Sequence, residues 1–188
     1  MLSQLLTLET IVQFIEIVFY IWITRSMMSA EKVTPRRYID WAITTPTMLF
    51  TTVVYLEYIS KKEQGIDTKM DLQSFYNEHK SDVQKIFVYN WLMLLFGFLG
   101  EIGTLPLKIS VSIGFVFFAL TFNIVHKYGK QTEKGKTFSK YFTILWGLYG
   151  VAAVLPLAEK NISYNILDVF SKNFYGIYLL MELQKVRQ

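Results

Sequence analysis

A lysine near the middle of an apolar stretch is the residue of this sequence with the clearest chemical potential. The stretch runs from Asn165 to Leu180, and Lys172 lies inside it, four residues after Asp168. A charged side chain at the centre of a bilayer costs roughly 2.5–3.5 kcal/mol even on the mildest scale, so it needs a partner or a chemical use. Two interpretations follow: an ion pair between Lys172 and Asp168 on one helix face, or a lysine amine that forms a Schiff base with a carbonyl compound.

A second set of polar residues forms a stripe along the first apolar stretch of the chain. Its members are spaced by three or four residues, which places them on one face of a helix; they are Glu9, Gln13, Glu16 and Tyr20. Lipid cannot satisfy such groups, so the stripe must face other helices or water. It predicts either a hydrated ion path or protonated glutamates that hydrogen-bond neighbouring helices.

Six apolar blocks position these groups. They comprise residues 4–27, 38–59, 84–104, 106–126, 140–158 and 162–182. Each block is long enough to cross a hydrocarbon core about 30 Å thick. We therefore predict an all-α membrane protein in which residues 1–188 form a single bundle of six transmembrane helices.

The distribution of basic residues predicts the orientation of this bundle. Six spans put both chain ends on one side of the membrane, together with the loops 60–83 and 127–140, and most of the 19 lysines and arginines lie on that side. Cytoplasmic loops carry an excess of such residues. Both termini are therefore expected in the cytoplasm.

The composition also narrows the classes of function. The net charge of +4 comes from basic residues in loops between apolar spans, so no nucleic-acid partner is predicted. The chain has no cysteine, which excludes disulfides and thiolate chemistry. It contains no phosphate-binding loop and no pattern of metal ligands. We therefore expect neither an enzyme nor a metal site.

Four motifs in the chain resemble those of the microbial rhodopsins. RYIDWAITTP is similar to their third helix, with its pattern R-Y-x-D-W-x-x-T-T/V-P, and LDVFSKN resembles their seventh helix. MLLFGFLGEIG resembles the fourth helix of proteorhodopsins, and WGLYG resembles the sixth helix, with Gly150 where a proline is usual. The motifs occur in the order of the family and cover most of the chain. The resemblance implies that the six spans correspond to helices two to seven of a seven-helix fold, without a counterpart of the first helix.

The resemblance also implies a cofactor and its site. All-trans-retinal would be bound covalently to Lys172 as a protonated Schiff base. Asp40 and Asp168 would serve as counterions, with Asp40 as the proton acceptor, and Arg37 would hold their charges; an ion pair of Arg37 with Asp40 is the purely structural alternative. The residues expected to line the retinal pocket are Trp41, Thr44, Thr45, Met48, Trp146 and Tyr149.

The inner half of the bundle decides which kind of transport is expected. Thr51 occupies the position at which proton pumps carry a carboxylic proton donor, and the glutamates of the first span are expected to point elsewhere. Channelrhodopsins and the channel-like rhodopsins of giant viruses resemble this chain in the glutamates that match Glu9 and Glu16, and channelrhodopsins also in an asparagine that matches Asn173. The predicted ion path and its gates comprise Glu9, Gln13, Glu16, Thr51, Asn165 and Asn173.

These features favour a passive light-gated cation channel, because acidic residues along a pore select cations. An outward proton pump with Glu9 or water as a slow donor is one alternative. A photosensor that signals to a partner through its cytoplasmic loops is another. We expect a homo-oligomer in the lipid bilayer of the plasma membrane or of a host cell membrane, with monovalent cations or protons as the transported ions.

Overall fold

The computed structural model describes residues 2–25, 30–66 and 71–187, most of which are helical. The helices in chain order are α1 Leu2–Arg25, α2 Ala30–Glu63, α3 Leu72–Glu78, α4 Lys80–Glu101, α5 Leu107–Gly129, α6 Glu133–Ala152, α7 Leu157–Asp168 and α8 Phe174–Arg187. A π-helical turn, Val169–Asn173, joins α7 directly to α8, so that these pieces form one long helix. The prediction of an all-helical protein is therefore confirmed.

The predicted spans agree with these helices except at some of their ends. The fifth span was wrong in its bounds, because α6 covers residues 133–152 rather than 140–158. Of its expected last residues, 153–155 form the turn before Pro156, and 157 and 158 already belong to α7. Proline lacks a backbone N–H and disfavours helical conformation in the residue that precedes it. Residues 26 and 27 of the first span lie outside the described residues.

Among the described residues, three helices are long and apolar enough to cross a membrane on their own, namely α1, α4 and α5. The helix α1 illustrates how such a helix sits in the bundle. Its exposed side chains include Phe14 and Ile17, whereas Glu9 and Glu16 are buried. Apolar groups outside and carboxylates inside are what a helix between lipid and a polar interior requires. The count of six spans stays a prediction.

The helix α2 is the central element of the bundle, because it contacts α1, α4, α5, α6 and α7. All residues from Thr51 to Ser60 are buried. Pro46 cannot donate a hydrogen bond to the carbonyl group of Ala42. That carbonyl oxygen instead accepts a hydrogen bond from Nε1 of Trp91 on α4, at 2.9 Å. A neighbouring helix thus compensates the proline, as membrane helices require.

Candidate functional site

Lys172 lies in the π-helical turn, and its amine is surrounded by carboxylates from three different elements. The side chain is 1% exposed. Its Nζ donates a hydrogen bond to Asp40 Oδ2 at 2.5 Å and lies 3.7 Å from both Glu16 Oε1 and Asp168 Oδ1. The π turn widens the helix at the lysine, and such turns often occur at functional sites. The three acidic groups come from α1, α2 and the end of α7, so the packing of these helices assembles the site.

Asp168 is the carboxylate with the most donors in this cluster. Arg37, which is also buried, lies 3.3 Å from its Oδ2 atom. The hydroxyl groups of Tyr20 and Tyr149 donate to it as well, each at 2.8 Å. Arg37 is held in turn by a hydrogen bond from its Nη2 atom to the side-chain oxygen of Asn165. Asp168 is therefore fixed in place by several groups. They lie toward the end of the bundle that is far from Leu2, the first residue of α1, and we call this end the outer side.

Asp40 is held far more loosely than Asp168. Its Oδ2 atom accepts the hydrogen bond from Lys172, whereas its buried Oδ1 atom has no hydrogen-bond partner within the described part of the chain. The structural alternative of an ion pair between Arg37 and Asp40 is wrong, since the ion pair of Arg37 is with Asp168. Asp40 thus combines direct contact with the amine and an oxygen that is free to take a proton.

A mostly apolar and aromatic cavity of about 110 Å³ lies next to Lys172. That volume is several times the space needed by one buried water molecule. Its lining includes five of the six residues predicted for the pocket, Trp41, Thr45, Met48, Trp146 and Tyr149. Thr44 was predicted wrongly: it is buried outside this lining, and its hydroxyl group bonds the backbone carbonyl group of Asp40 at 3.0 Å.

The lining of this cavity suits an apolar molecule with one reactive end. Lys172 and the hydroxyl-bearing Ser171 supply polar groups in its wall, while most other lining side chains carry none. The indole Nε1 atoms of Trp41 and Trp146 are buried and find no acceptor among the described residues. A buried donor without a partner costs free energy, so these indoles do not favour a hydrocarbon ligand, and the fit rests on the mostly apolar lining. The lining is thus compatible with retinal attached to Lys172.

A line of polar side chains continues from Lys172 toward the opposite, inner side of the bundle, where Leu2 and the end of α8 lie. Nδ2 of Asn173 donates to Gln13 Oε1, and it is 3.5 Å from Glu16 Oε2. Further inward, the hydroxyl group of Thr51 donates to Glu9 Oε1. The stripe predicted on α1 therefore faces α2 and the π-helical turn rather than lipid.

The expectation that Glu9 points away from the position of a proton donor is wrong. Its carboxyl group contacts Thr51 directly and is fully buried. The sequence motif places a threonine at this point of α2, but α1 supplies the carboxyl group in space. Asn165, the remaining residue of the predicted ion path, lies on the outer side, where its side-chain oxygen accepts a hydrogen bond from Arg37.

Two site residues were missed by the sequence reasoning. Asn90 on α4 donates to the hydroxyl group of Thr45 at 2.8 Å, and a single amide in an apolar span was the available signal. Tyr175 on α8 donates to the hydroxyl group of Thr51 at 3.4 Å. Tyrosine is common in membrane helices near interfaces, so its sequence position alone carried no such signal.

Comparison with known proteins agrees with this architecture. Residues 3–186 match the family model of bacteriorhodopsin-like proteins. The chain is 26% identical to Opsin-1 of Neurospora crassa over 162 residues, which are 77% of this chain and 48% of Opsin-1. The chain thus spans about half the length of that curated relative. The crystal structure of viral rhodopsin OLPVRII superposes with a TM-score of 0.85 at 29% identity, covering 98% of this chain and 84% of that chain.

A helical membrane bundle with a buried lysine, its carboxylates and an apolar cavity belongs to the class of retinal-binding photoreceptors and ion transporters. The chain is a member of the bacteriorhodopsin-like family, whose members bind retinal covalently through a lysine. The resemblance to microbial rhodopsins, including viral ones, is therefore confirmed. The protein is an integral membrane protein of the rhodopsin fold.

Proposed function

We propose that this protein transports protons outward across the membrane in response to light, with retinal attached to Lys172. Retinal, when bound, supplies the light-driven isomerisation that starts transport. The observation that carries the proposal is the contact between Glu9 and Thr51, which puts a buried carboxyl group on the inner side of Lys172. The motif of α2 has Thr51 instead of this carboxyl group, and α1 supplies it.

Asp40 is the proposed acceptor of the proton that leaves the nitrogen atom of Lys172. It makes the shortest contact with that atom, at 2.5 Å, compared with 3.7 Å for Asp168. Its second oxygen has no partner in the described structure, whereas Asp168 already accepts from two tyrosines and lies against Arg37. Proton transfer needs donor and acceptor within hydrogen-bond reach. Asp40 meets this condition with the fewest competing contacts.

Glu9 is the proposed donor that returns a proton from the inner side. It lies seven residues before Glu16 on the same helix, hence about 10 Å further inward. The amide groups of Gln13 and Asn173 occupy the interval. Side-chain amide groups do not relay protons by themselves, so the return step must wait until water enters this interval. Glu9 would supply a proton to Lys172 from the inner side, and Asp40 would accept the proton that leaves Lys172. Protons would therefore move outward.

The orientation and the number of spans belong to the same proposal. The excess of basic residues on the inner side supports a cytoplasmic C-terminus. The length of the long helices supports six transmembrane spans that correspond to helices two to seven of the seven-helix fold. The partners would be the lipid bilayer and protons, or monovalent cations if the second candidate applies.

A passive cation channel is the second candidate, and the buried stripe of α1 favours it. Glu9, Gln13 and Glu16 all face the interior, and Nε2 of Gln13 has no partner in the described part of the bundle. If the amide contact between Gln13 and Asn173 opened, the acidic groups on either side would line a cation path. In that case Glu16→Gln would change the permeability ratio of protons to metal cations.

Voltage-clamped cells that express the protein and receive all-trans-retinal separate the two candidates. A pump gives a photocurrent that stays outward over the whole voltage range and persists without an ion gradient. A channel gives a current that changes sign at the equilibrium potential of its ion. A photocurrent that reverses with the gradient would overturn the proposed pump. Cells with the Lys172→Ala variant provide the control, since they should show no photocurrent.

A further inference from the structure

A second polar cluster lies at the inner end of the bundle, beyond Glu9. The hydroxyl groups of Tyr55 on α2 and Tyr178 on α8 are 2.6 Å apart. Tyr55 also donates to Glu182 Oε2 at 3.3 Å, and Lys134 at the start of α6 binds the same carboxylate oxygen at 2.5 Å. Three helices that are separate in sequence are thus tied together by four side chains, which we call the inner latch: Tyr55, Lys134, Tyr178 and Glu182.

An aromatic ring fills the space under the inner latch. The ring of Phe138 on α6 stacks on that of Tyr178, with centroids 5.6 Å apart and an interplanar angle of 23°. It also makes an edge contact with Tyr55 at 5.4 Å. Since Phe138 lies one turn after Lys134 on α6, the position of Lys134 fixes the position of this ring. Releasing Lys134 from Glu182 would therefore loosen the aromatic contacts as well.

The inner latch lies one helical turn from the proposed proton donor. Tyr55 follows Thr51 by four residues on α2, and Tyr178 follows Tyr175 by three residues on α8, so each step is about 5 Å. Tyr175 and Thr52 form the intervening layer, with a hydrogen bond from Thr52 to the tyrosine hydroxyl group at 3.3 Å. Exposure rises along this line: Glu9 and Tyr55 are fully buried, whereas the side chain of Lys134 is 44% exposed.

We propose that the inner latch is a gate that closes the route by which water and protons reach Glu9, with Lys134 as its positioning residue. The inference rests on the proposed function in one respect, which is the role of Glu9. Lys134 is 44% exposed and Glu182 12%, so water reaches this ion pair from one side and screens it, which limits the free energy it contributes. It can therefore open thermally, whereas a fully buried pair would stay closed. In the closed state, the paired hydroxyl groups of Tyr55 and Tyr178 and the ring of Phe138 block the entry of water.

The absence of cysteine from the sequence permits a direct test of this gate. Thr52→Cys introduces one thiol into the buried layer between the latch and Glu9. Purified protein in lipid nanodiscs is treated in the dark with a charged maleimide, and the labelling rate is measured by mass spectrometry. Lys134→Met in this background should raise the rate about fivefold, the factor expected from losing one exposed ion pair. Lys134→Arg should keep the slow rate.

The matched control is an ion pair whose two partners both lie on α6. Lys136 and Glu133 are both on α6, 2.5 Å apart, and their side chains are 50% and 88% exposed. Lys136→Met removes one positive charge two residues from Lys134 and should leave the labelling rate unchanged. Equal labelling rates in the Lys134→Met and Lys136→Met variants would overturn the gate.

A second measurement covers the case in which Thr52→Cys does not fold. Backbone hydrogen exchange of residues 174–179 is compared in Lys134→Met and Lys136→Met variants that keep Thr52. Faster exchange in the former alone is expected, and equal exchange rejects the gate. Both measurements are made in the dark and require no transport. A photocurrent that reverses would therefore reject the pump and leave the gate, while equal labelling would reject the gate and leave the pump.

Discussion

The outer and inner halves of the bundle solve the problem of buried charge in opposite ways. In the outer half, Lys172 lies beside three carboxylates, one of which, Asp168, also pairs with Arg37 and accepts hydrogen bonds from two tyrosine hydroxyl groups. On the inner side, the carboxyl group of Glu9 has one hydrogen bond, from a neutral hydroxyl group, and its Oε2 atom has no partner in the described structure. The outer half is a dense network of ion pairs in which Oδ1 of Asp40 stays unpaired among the described residues, whereas Glu9, the first carboxyl group inward of this network, is sparsely bound.

This difference between the two halves gives proton movement through the bundle a direction. In the outer half, the positive charges of Lys172 and Arg37 lie next to carboxylates that compensate them. A proton that leaves Lys172 therefore has an acceptor in direct contact. A proton that enters from the inner side has to pass the inner latch, which contains Glu182, before it reaches Glu9, and the supply of water limits its movement. Substitutions in the outer cluster should therefore change the colour of the pigment. Substitutions in the inner half should change the timing of transport and leave the colour alone.

The largest expected effect is the loss of the pigment. Lys172→Ala removes the amine that the carboxylates surround and should abolish the visible absorption band that forms with retinal. The matched control is Lys160→Ala, because Lys160 is also buried and paired, with Glu101 at 3.0 Å, but lies outside the cavity lining. That variant should keep the band. A visible band in purified Lys172→Ala protein would show that retinal is attached elsewhere.

The second largest effect concerns the two aspartates and sharpens the contrast within the outer half. Asp40→Asn removes the anion in direct contact with the lysine nitrogen. Because an adjacent anion stabilises the protonated Schiff base, the variant should absorb at longer wavelength or lose the Schiff-base proton near neutral pH. Asp168→Asn should have a smaller effect on colour, since Asp168 lies 3.7 Å from that nitrogen and is shared with Arg37. Absorption spectra over a pH titration measure both. An unchanged titration in Asp40→Asn would transfer the role to Asp168.

The residues of the outer half could be predicted from sequence because local spacing and motif carry the information. Lys172 and Asp168 are four residues apart on one helix, and an unexplained charge in an apolar span points to a site by itself. The cavity lining followed from motif positions for five of six residues. The prediction for Thr44 was wrong, because a motif position does not determine whether a hydroxyl group bonds the backbone of its own helix or lines a cavity.

The inner half could not be predicted in the same way, because its contacts join distant parts of the chain. The contact of Glu9 with Thr51 depends on how far α1 is shifted along α2, and helical periodicity specifies a face but no such shift. The predicted ends of the fifth span were wrong for a related reason. Hydropathy marks which residues tolerate lipid, while the helix end depends on Pro156 and on the turn that leads to α7.

The third prediction tests whether Glu9 acts in timing alone. Glu9→Gln should slow the return of the proton to the lysine nitrogen by about 100-fold, at the low end of what general acids contribute, with no change of colour. Flash photolysis measures this rate. Glu57→Gln is the matched control, since Glu57 is a buried glutamate of α2 that pairs with Lys61 at 3.4 Å outside the polar line. A colour shift in Glu9→Gln would break the division between the two halves.

The smallest effects are expected at the two tyrosines of α8, which should act in opposite directions. Tyr175→Phe removes long hydrogen bonds to Thr51 and Thr52, at 3.4 and 3.3 Å, next to the donor. One hydrogen bond contributes about 0.5–1.5 kcal/mol, so proton return should slow by a factor of about 2–10. Tyr178→Phe removes the 2.6 Å contact with Tyr55 in the inner latch and should speed the return by a similar factor, because water then enters more easily. Flash photolysis of both variants at one pH compares them directly. If both slowed the return equally, the two tyrosines would form one continuous relay, and the distinction between a donor layer and a gate would be lost.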